Sequence, residues 1–335
     1  MSTVWLDAPG ALRMVDSQPP EPMAGEAVVR VGYAGICGSD REMFAGTRPA
    51  PYVRYPVVPG HEWSGTVAAV GAGVDADLVG RKVVGEGFRN CQVCAACRRG
   101  DANLCAAPYA ETGFTEPGAW SDWLRLPARL LHALPADADL RAAAGLEPAA
   151  CVAAACLAAA VVPGERVAVV GGGMLGLLAV QLLRAAGPAE LVVVHPTTQR
   201  AALAAACGAD DVVTVDAATR LTGRFDAVLE TAGAAGAAHQ AVTLTRRGGR
   251  TVLAGLPSGA DTPLVPAELV TAKATIHTVF GAPPRAWTHA VAAFTAGILD
   301  PGRLVTHELA LTDVADAFGL LAERRDDVLK VLLHP

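Results

Sequence analysis

Aromatic residues make up 5% of this 335-residue chain, and Lys82, Lys273 and Lys330 are the only lysines among its 27 basic residues. There is no block of like charges, and the formal net charge is -6. Phosphate backbones are bound by basic surfaces, so a nucleic-acid partner is not expected. Long apolar runs are also missing. The longest, Ala149–Val162, is mostly alanine and falls short of the roughly 20 residues that cross a bilayer, so no membrane partner is expected. Met1–Asp16 has neither the basic start nor the apolar core of a signal peptide, which points to a cytoplasmic protein. What is present is a hydrophobic share of 52% against 18% charged, the balance of a folded chain rather than a disordered one. A chain of this length favours two domains over one core. Its eight cysteines, in a reducing compartment, point to metal binding or catalysis rather than to disulfides.

The texture changes twice along the chain. The first third carries short apolar runs such as Ala27–Tyr33 and Ser64–Val70 between Gly/Pro turns, as in a barrel-like β-sheet. From about residue 141, alanine-rich helical stretches alternate with the strand candidates Arg166–Val170, Leu191–Val194, Asp211–Val215, Phe225–Leu229 and Arg250–Ala254. That alternation predicts a parallel, doubly wound α/β sheet. After Gly281, helices are expected around Ala286–Gly297 and Thr312–Arg324, and a last strand at Val328–Leu333.

The first of those strands runs into Gly171-Gly172-Gly173-Met174-Leu175-Gly176 and then an apolar helix, the G-x-G-x-x-G pattern in its strand–turn–helix context. Gly171 allows the tight turn, Gly173 admits a pyrophosphate, and Gly176 lets helix and strand pack closely. The helix N-terminus offers free N–H groups to the phosphates. The second strand ends in His195, where an NAD site carries an acid for the ribose 2′-hydroxyl, and Thr197, Thr198 and Arg200 follow. Hydroxyls and a guanidinium suit a 2′-phosphate, so NADP(H) is expected over NAD(H), with a solvated Arg200 and weak selectivity as the alternative.

Cys91-x2-Cys94-x2-Cys97-x7-Cys105 can wrap one tetrahedral zinc. Four thiolates leave no open position, so this site is structural; an iron–sulfur cluster is the chemical alternative. Cys151, Cys156 and Cys207 sit in alanine-rich helical text and read as core residues. A second constellation is dispersed over Cys37-Gly38-Ser39-Asp40, Gly60-His61-Glu62 and Glu147-Pro148. These segments supply the thiolate, imidazole and carboxylate that a catalytic zinc uses, although each taken singly suits a structural role as well.

The order CGSD, GHE, CxxCxxCx7C, LEP, GGGMLG resembles the zinc-containing medium-chain dehydrogenases over essentially the whole chain, in particular the polyol (sorbitol-type) and threonine dehydrogenase branch. The resemblance implies a GroES-like β-rich catalytic domain from residues 1–147 and 283–335, with a structural zinc lobe at about 88–106, and a Rossmann domain at 148–282. It implies two zinc ions per chain, the catalytic one on Cys37, His61 and Glu147, with Glu62 as a ligand or alternate ligand. Asp40 would orient a ligand by hydrogen bonding, and Ser39 would open the proton exit. Relatives place a relay histidine where this chain has Glu42, so the proton would leave through Glu42 or through water. Tyr55–Val67 (YPVVPGHEWSGTV) is most similar to the 2-deoxy-scyllo-inosamine dehydrogenases of aminoglycoside biosynthesis, which implies a polyhydroxylated, amino-bearing ring as substrate.

The expected activity is therefore NAD(P)-linked interconversion of a secondary alcohol and a ketone. A sorbitol- or threonine-type dehydrogenase, a zinc-free enoyl or quinone reductase and a non-catalytic nucleotide-binding protein are the alternatives. Tyr109, Phe114, Trp120 and Trp287 are candidates either for a pocket wall or for the core. Thr275–Phe280 resembles the edge strand that pairs across a dimer in this superfamily, so a homodimer or homotetramer is expected.

Overall fold

The computed structural model describes residues 1–257, 262–322 and 327–335. The chain folds into two units, Met1–Glu147 with Pro301–Pro335, and Pro148–Asp300. The expected return to the first domain at residue 283 lies 18 residues before the observed one at Pro301. The physical reason is a reciprocal clasp. Gln181, buried in the helix Met174–Ala185, accepts the Asp300 N–H at 2.6 Å and donates to the Asp300 carbonyl at 3.3 Å, so the chain stays with the second unit as far as Asp300.

The first unit is built on the strand Glu26–Ile36, whose residues are buried along most of its length. It pairs antiparallel with Trp63–Val70, with Trp123–Pro127 and with Lys330–His334, inside a seven-stranded sheet. Val331 opposite Ile36 fixes the register of the C-terminal strand and sets Lys330 beside the end of the long strand. Val29, Trp63, Trp120, Leu124, Leu126 and Leu333 belong to one core cluster. The closing strand expected at Val328–Leu333 is Lys330–His334, and the helix before it runs Val314–Ala322; Arg324 lies outside the described residues.

The second unit is a six-stranded parallel sheet. Its strands stand in the order Asp211–Thr214, Glu190–His195, Arg166–Val170, Phe225–Glu230, Thr245–Leu253, Thr275–Thr278. Numbered along the chain within this unit, that order is third, second, first, fourth, fifth, sixth, the arrangement of a dinucleotide-binding sheet. The strand order reverses between the first and fourth strands, which pair Val167 to Ala227 and Val170 to Glu230. The fifth strand begins at Thr245, five residues before its sequence-based start at Arg250, because the helix Ala237–Leu244 hands over directly to it. Among the described residues no helix is long and apolar enough to cross a membrane.

Candidate active site and cofactor cradle

The residues proposed from sequence for catalysis gather at the end of the strand Glu26–Ile36. Cys37 is the N-cap of the helix Gly38–Ala45, and Asp40 at the third helical position accepts the Cys37 backbone N–H at 2.8 Å. His61 and Glu62 arrive from the loop before Trp63–Val70. Gly60, at φ +96°, makes that approach, since a Cβ there would collide with the Trp120 ring. One donor atom from each of Cys37, His61 and Glu62 lies within 4.8 Å of the others. Asp40 is buried, and its Oδ1 stands 3.5 Å from His61 Nδ1. Ser39 Oγ is 3.5 Å from the other ring nitrogen, Nε2. Glu42 stands apart from this group, 3.7 Å from the Arg48 guanidinium.

Three donors of this chemistry fit a zinc ion, and the electrostatics agree. Burial disfavours a charged His61, yet Asp40 and Cys37 outweigh it and hold the imidazole pKa well above its ordinary value. A buried pocket that retains a proton this strongly has a negative potential that a metal cation would satisfy better. Glu147, expected as a third ligand, is not brought into the group: it sits in the first turn of the helix Leu146–Ala159. Glu62, expected as a ligand or alternate ligand, stands beside Cys37 and His61. Gly35 makes room for it, because a Cβ there would overlap the Glu62 carboxylate.

Lys330 was invisible to sequence reasoning. Its ammonium donates to Glu62 Oε2 at 2.5 Å and to the Ile36 carbonyl at 3.1 Å, and both side chains are buried. Burial alone would lower the lysine pKa, but the neighbouring Glu62 and Cys37 charges hold it above the usual value. No local pattern could reveal a pair separated by 268 residues. Glu111 was likewise missed. Of the four aromatics considered for a pocket wall, Phe114 packs its ring 4.5 Å from that of His61. Tyr109 donates its hydroxyl to Glu111, while Trp120 and Trp287 are core residues.

In the lobe between residues 88 and 106, Cys91, Cys94, Cys97 and Cys105 bring their four sulfurs within 4.8 Å of one another, and all are free thiols. The Cys91–Cys97 sulfur separation is 3.9 Å, close to the roughly 3.8 Å edge of a tetrahedron with Zn–S bonds of about 2.3 Å. Backbone N–H groups of Cys91 and Ala107 point at the Cys105 sulfur. The Ala106 N–H is the main reason the Cys94 pKa is drawn down to about 6. Donors aimed at sulfur favour thiolates, the form that binds metal.

The glycine turn has the shape of a pyrophosphate cradle. Gly171 sits at φ +113°, and a Cβ on Gly176 would overlap the Gly171 carbonyl oxygen, so helix and strand meet at backbone distance. A Cβ at Gly173, by contrast, would meet nothing within 4 Å. Gly173 caps the helix Met174–Ala185, which starts with Met174 and Leu175 and has no side-chain hydrogen bond at its N-terminus. Its free N–H groups suit a phosphate. His195 ends the second strand with its Nδ1 accepting from the Thr197 N–H at 3.3 Å, and its ring lies against Gly172. Arg200 reaches back to donate to the Gly172 carbonyl at 3.0 Å, while Thr198 is exposed. Glu230, another buried carboxylate not foreseen, accepts the Ala232 and Gly233 N–H groups at 2.7 and 2.8 Å and shapes the turn after the fourth strand.

Known proteins carry the same two parts. The alcohol dehydrogenase GroES-like domain family matches residues 23–136, and the zinc-binding dehydrogenase family matches residues 175–296. Sorbitol dehydrogenase of Bacillus subtilis is 30% identical over 321 residues, covering 92% of this chain and 90% of that protein. A structure described as a zinc-binding dehydrogenase from Sinorhizobium meliloti, bound to NADP, superposes with a TM-score of 0.92 at 27% identity, over 100% of this chain and 99% of that one. An Escherichia coli alcohol dehydrogenase structure holding NADH does so with a TM-score of 0.91 at 26% identity, with the same coverage. With a GroES-like domain and a Rossmann sheet both present, the chain belongs to the zinc-containing medium-chain dehydrogenase superfamily.

Proposed function

We propose that this protein is a zinc-dependent dehydrogenase that interconverts a secondary alcohol and a ketone on a polyhydroxylated ring, an aminocyclitol of the 2-deoxy-scyllo-inosamine kind, and that it favours NADP(H) over NAD(H). The observation that carries the reading is the convergence of Cys37, His61 and Glu62 within 4.8 Å, with Ser39 Oγ 3.5 Å from the imidazole. Cys37 and His61 hold the catalytic zinc with Glu62 or Glu147, and the four lobe cysteines hold a second, structural zinc. A bound zinc supplies Lewis acidity that eases loss of the hydroxyl proton and polarises a ketone. Asp40 fixes the imidazole and the Cys37 backbone together. Ser39 accepts the substrate proton and passes it outward through Glu42 or water. Hydride chemistry belongs to the nicotinamide; the chain contributes the Gly171–Gly176 cradle that holds its pyrophosphate.

The NADP(H) preference is supported by His195 in place of an acid and by the Arg200 guanidinium held against the glycine turn. The edge position of Thr275–Thr278 supports a homodimer or homotetramer, and the chain is assigned to the cytoplasm. The test is an NADP(H)- and NAD(H)-linked assay of the zinc-loaded protein against aminocyclitols, polyols and simple secondary alcohols. Oxidation of ring polyols or aminocyclitols, with a higher kcat/KM for NADP+ than for NAD+ and the same preference for NADPH over NADH when the corresponding ketones are reduced, is expected. Turnover of acyclic alcohols alone would refute the substrate assignment, and a higher kcat/KM with NADH would refute the cofactor assignment.

A further inference from the structure

The chain leaving the four-cysteine lobe turns back on itself at residues 112–117, where the Gly113 N–H donates to the Glu116 carbonyl at 2.8 Å. This turn lies against the loop that carries His61. A Cβ on Gly113 would come within 2.8 Å of the His61 backbone nitrogen, and one on Gly118 would overlap the Pro59 and Gly60 carbonyl oxygens. The two segments therefore meet at backbone distance. Gly118, Ala119 and Trp120 also donate to the Val58, Gly60 and Pro59 carbonyls, at 2.7, 2.8 and 3.0 Å. Phe114, within the turn, sets its ring 4.5 Å from the imidazole at an angle of 32°. What holds the turn is Arg89, two residues before Cys91. Its guanidinium spans both stems, donating from Nε to the Thr112 hydroxyl and from Nη2 to the Pro117 carbonyl, each at 3.2 Å. Nη2 also donates to the Arg125 carbonyl at 3.3 Å, and Nη1 stands 3.6 Å from the Glu116 carboxylate. Arg125 lies opposite Val28 of Glu26–Ile36, the strand that ends beside Cys37. The Arg89 backbone N–H donates to the Ala110 carbonyl at 2.8 Å. Thr112 is fully buried and the Arg89 side chain is 15% exposed, so water competes little for these bonds.

We propose that Arg89 is a positioning residue for the catalytic metal: through the turn 112–117 it fixes His61, and with it the strength with which the Cys37–His61 site holds zinc. The proposal rests on the zinc reading above. A ligand already in place adds no ordering entropy to metal binding, whereas a loop free to draw back must be ordered when the ion arrives. Phe114 limits the swing of the imidazole from one side, and Asp40, 3.5 Å from Nδ1, sets its rotation. Arg89 acts through the turn and not by contact with the ion. The job needs arginine, whose planar fork reaches several acceptors at once; a lysine keeps the charge and loses the fork.

The test is equilibrium competition for zinc between the protein and a chromogenic chelator, in the wild type, Cys37→Ser and Arg89→Lys. The zinc site missing from Cys37→Ser is the catalytic one, and the site that remains belongs to the lobe. Arg89→Lys is expected to weaken the catalytic site by about tenfold or more, the scale on which residues that orient metal ligands act, and to leave the lobe site within about twofold. A merely structural Arg89 would lower Tm and leave the catalytic affinity where it was, or weaken both sites by one factor; either result overturns the proposal. If Arg89→Lys does not fold, Gly118→Ala carries the same expectation and the same refutation, since it pushes the turn off the Pro59 and Gly60 carbonyls without touching the lobe. Equal zinc binding by the wild type and Cys37→Ser would refute the zinc reading and the proposal with it. A Cys37-dependent site that the variant does not move would refute the proposal alone.

Discussion

Replacing Lys330 with methionine removes one member of a fully buried ion pair while keeping most of the side-chain volume. Glu62 would keep its carboxylate at 1% side-chain exposure, pressed against Gly35, with no cation at 2.5 Å. Breaking a buried pair by removing one partner costs about 3–5 kcal/mol, because the remaining charge is stranded in low dielectric. In a unit the size of Met1–Glu147 with Pro301–Pro335, each kcal/mol moves the unfolding midpoint by about 2–4 °C, so K330M should lower Tm on the order of 10 °C. The double variant E62Q/K330M removes both charges, and most of the loss should return, since replacing a whole buried pair is close to neutral. Thermal unfolding of zinc-free protein, followed by circular dichroism, measures this without a metal charge to compensate Glu62. A K330M shift under about 2 °C, or a double variant no more stable than K330M, would refute the claim that Lys330 neutralises Glu62.

Gly176→Ala drives a methyl into the Gly171 carbonyl oxygen and is expected to weaken NADPH binding by at least about tenfold in a fluorescence titration; unchanged affinity would contradict the cradle. Arg200→Ala should reduce the ratio of NADPH to NADH kcat/KM by about tenfold, the worth of one charge-assisted contact to a 2′-phosphate, and a constant ratio would remove Arg200 from cofactor selection. For Glu111, whose folded pKa of about 8 exceeds its unfolded value, the stabilising neutral form is fully present below about pH 4.5 and is lost as pH rises through about 8. Zinc-free Glu111→Gln should therefore gain Tm relative to the wild type between these two values and hold a constant difference above them; a difference independent of pH would show that the carboxyl is not held protonated.

The second unit was largely legible because its signals are local. Arg166–Val170 and Phe225–Glu230 are short, largely apolar and buried runs, and the turn after the first of them, with Gly171 at φ +113°, takes a conformation that few residues other than glycine adopt. The Cys91–Cys105 lobe was legible for the same reason, four donors lying within fifteen residues. The catalytic constellation was legible only as a resemblance, since Cys37 and His61 are joined by strand pairing and not by spacing. What escaped was long-range. Lys330 reaches Glu62 through the register of Val331 against Ile36, and Glu111 acquires its surroundings from a bridge to Phe88 and a loop contact with Gly87. The domain return at Pro301 escaped because a glutamine clasp to Asp300 carries no sequence signature.

The central claim is that a zinc held by Cys37, His61 and a carboxylate performs the chemistry, while the Cys91–Cys105 zinc only supports the fold. It is tested most directly by measuring zinc content and NADP(H)-linked turnover together in the wild type and in Cys37→Ser. The account predicts two zinc ions per chain in the wild type, and in Cys37→Ser one zinc, an unchanged Tm to within a few degrees, and turnover reduced by at least about a hundredfold. Full turnover in Cys37→Ser, or two zinc ions retained with normal kinetics, would contradict it.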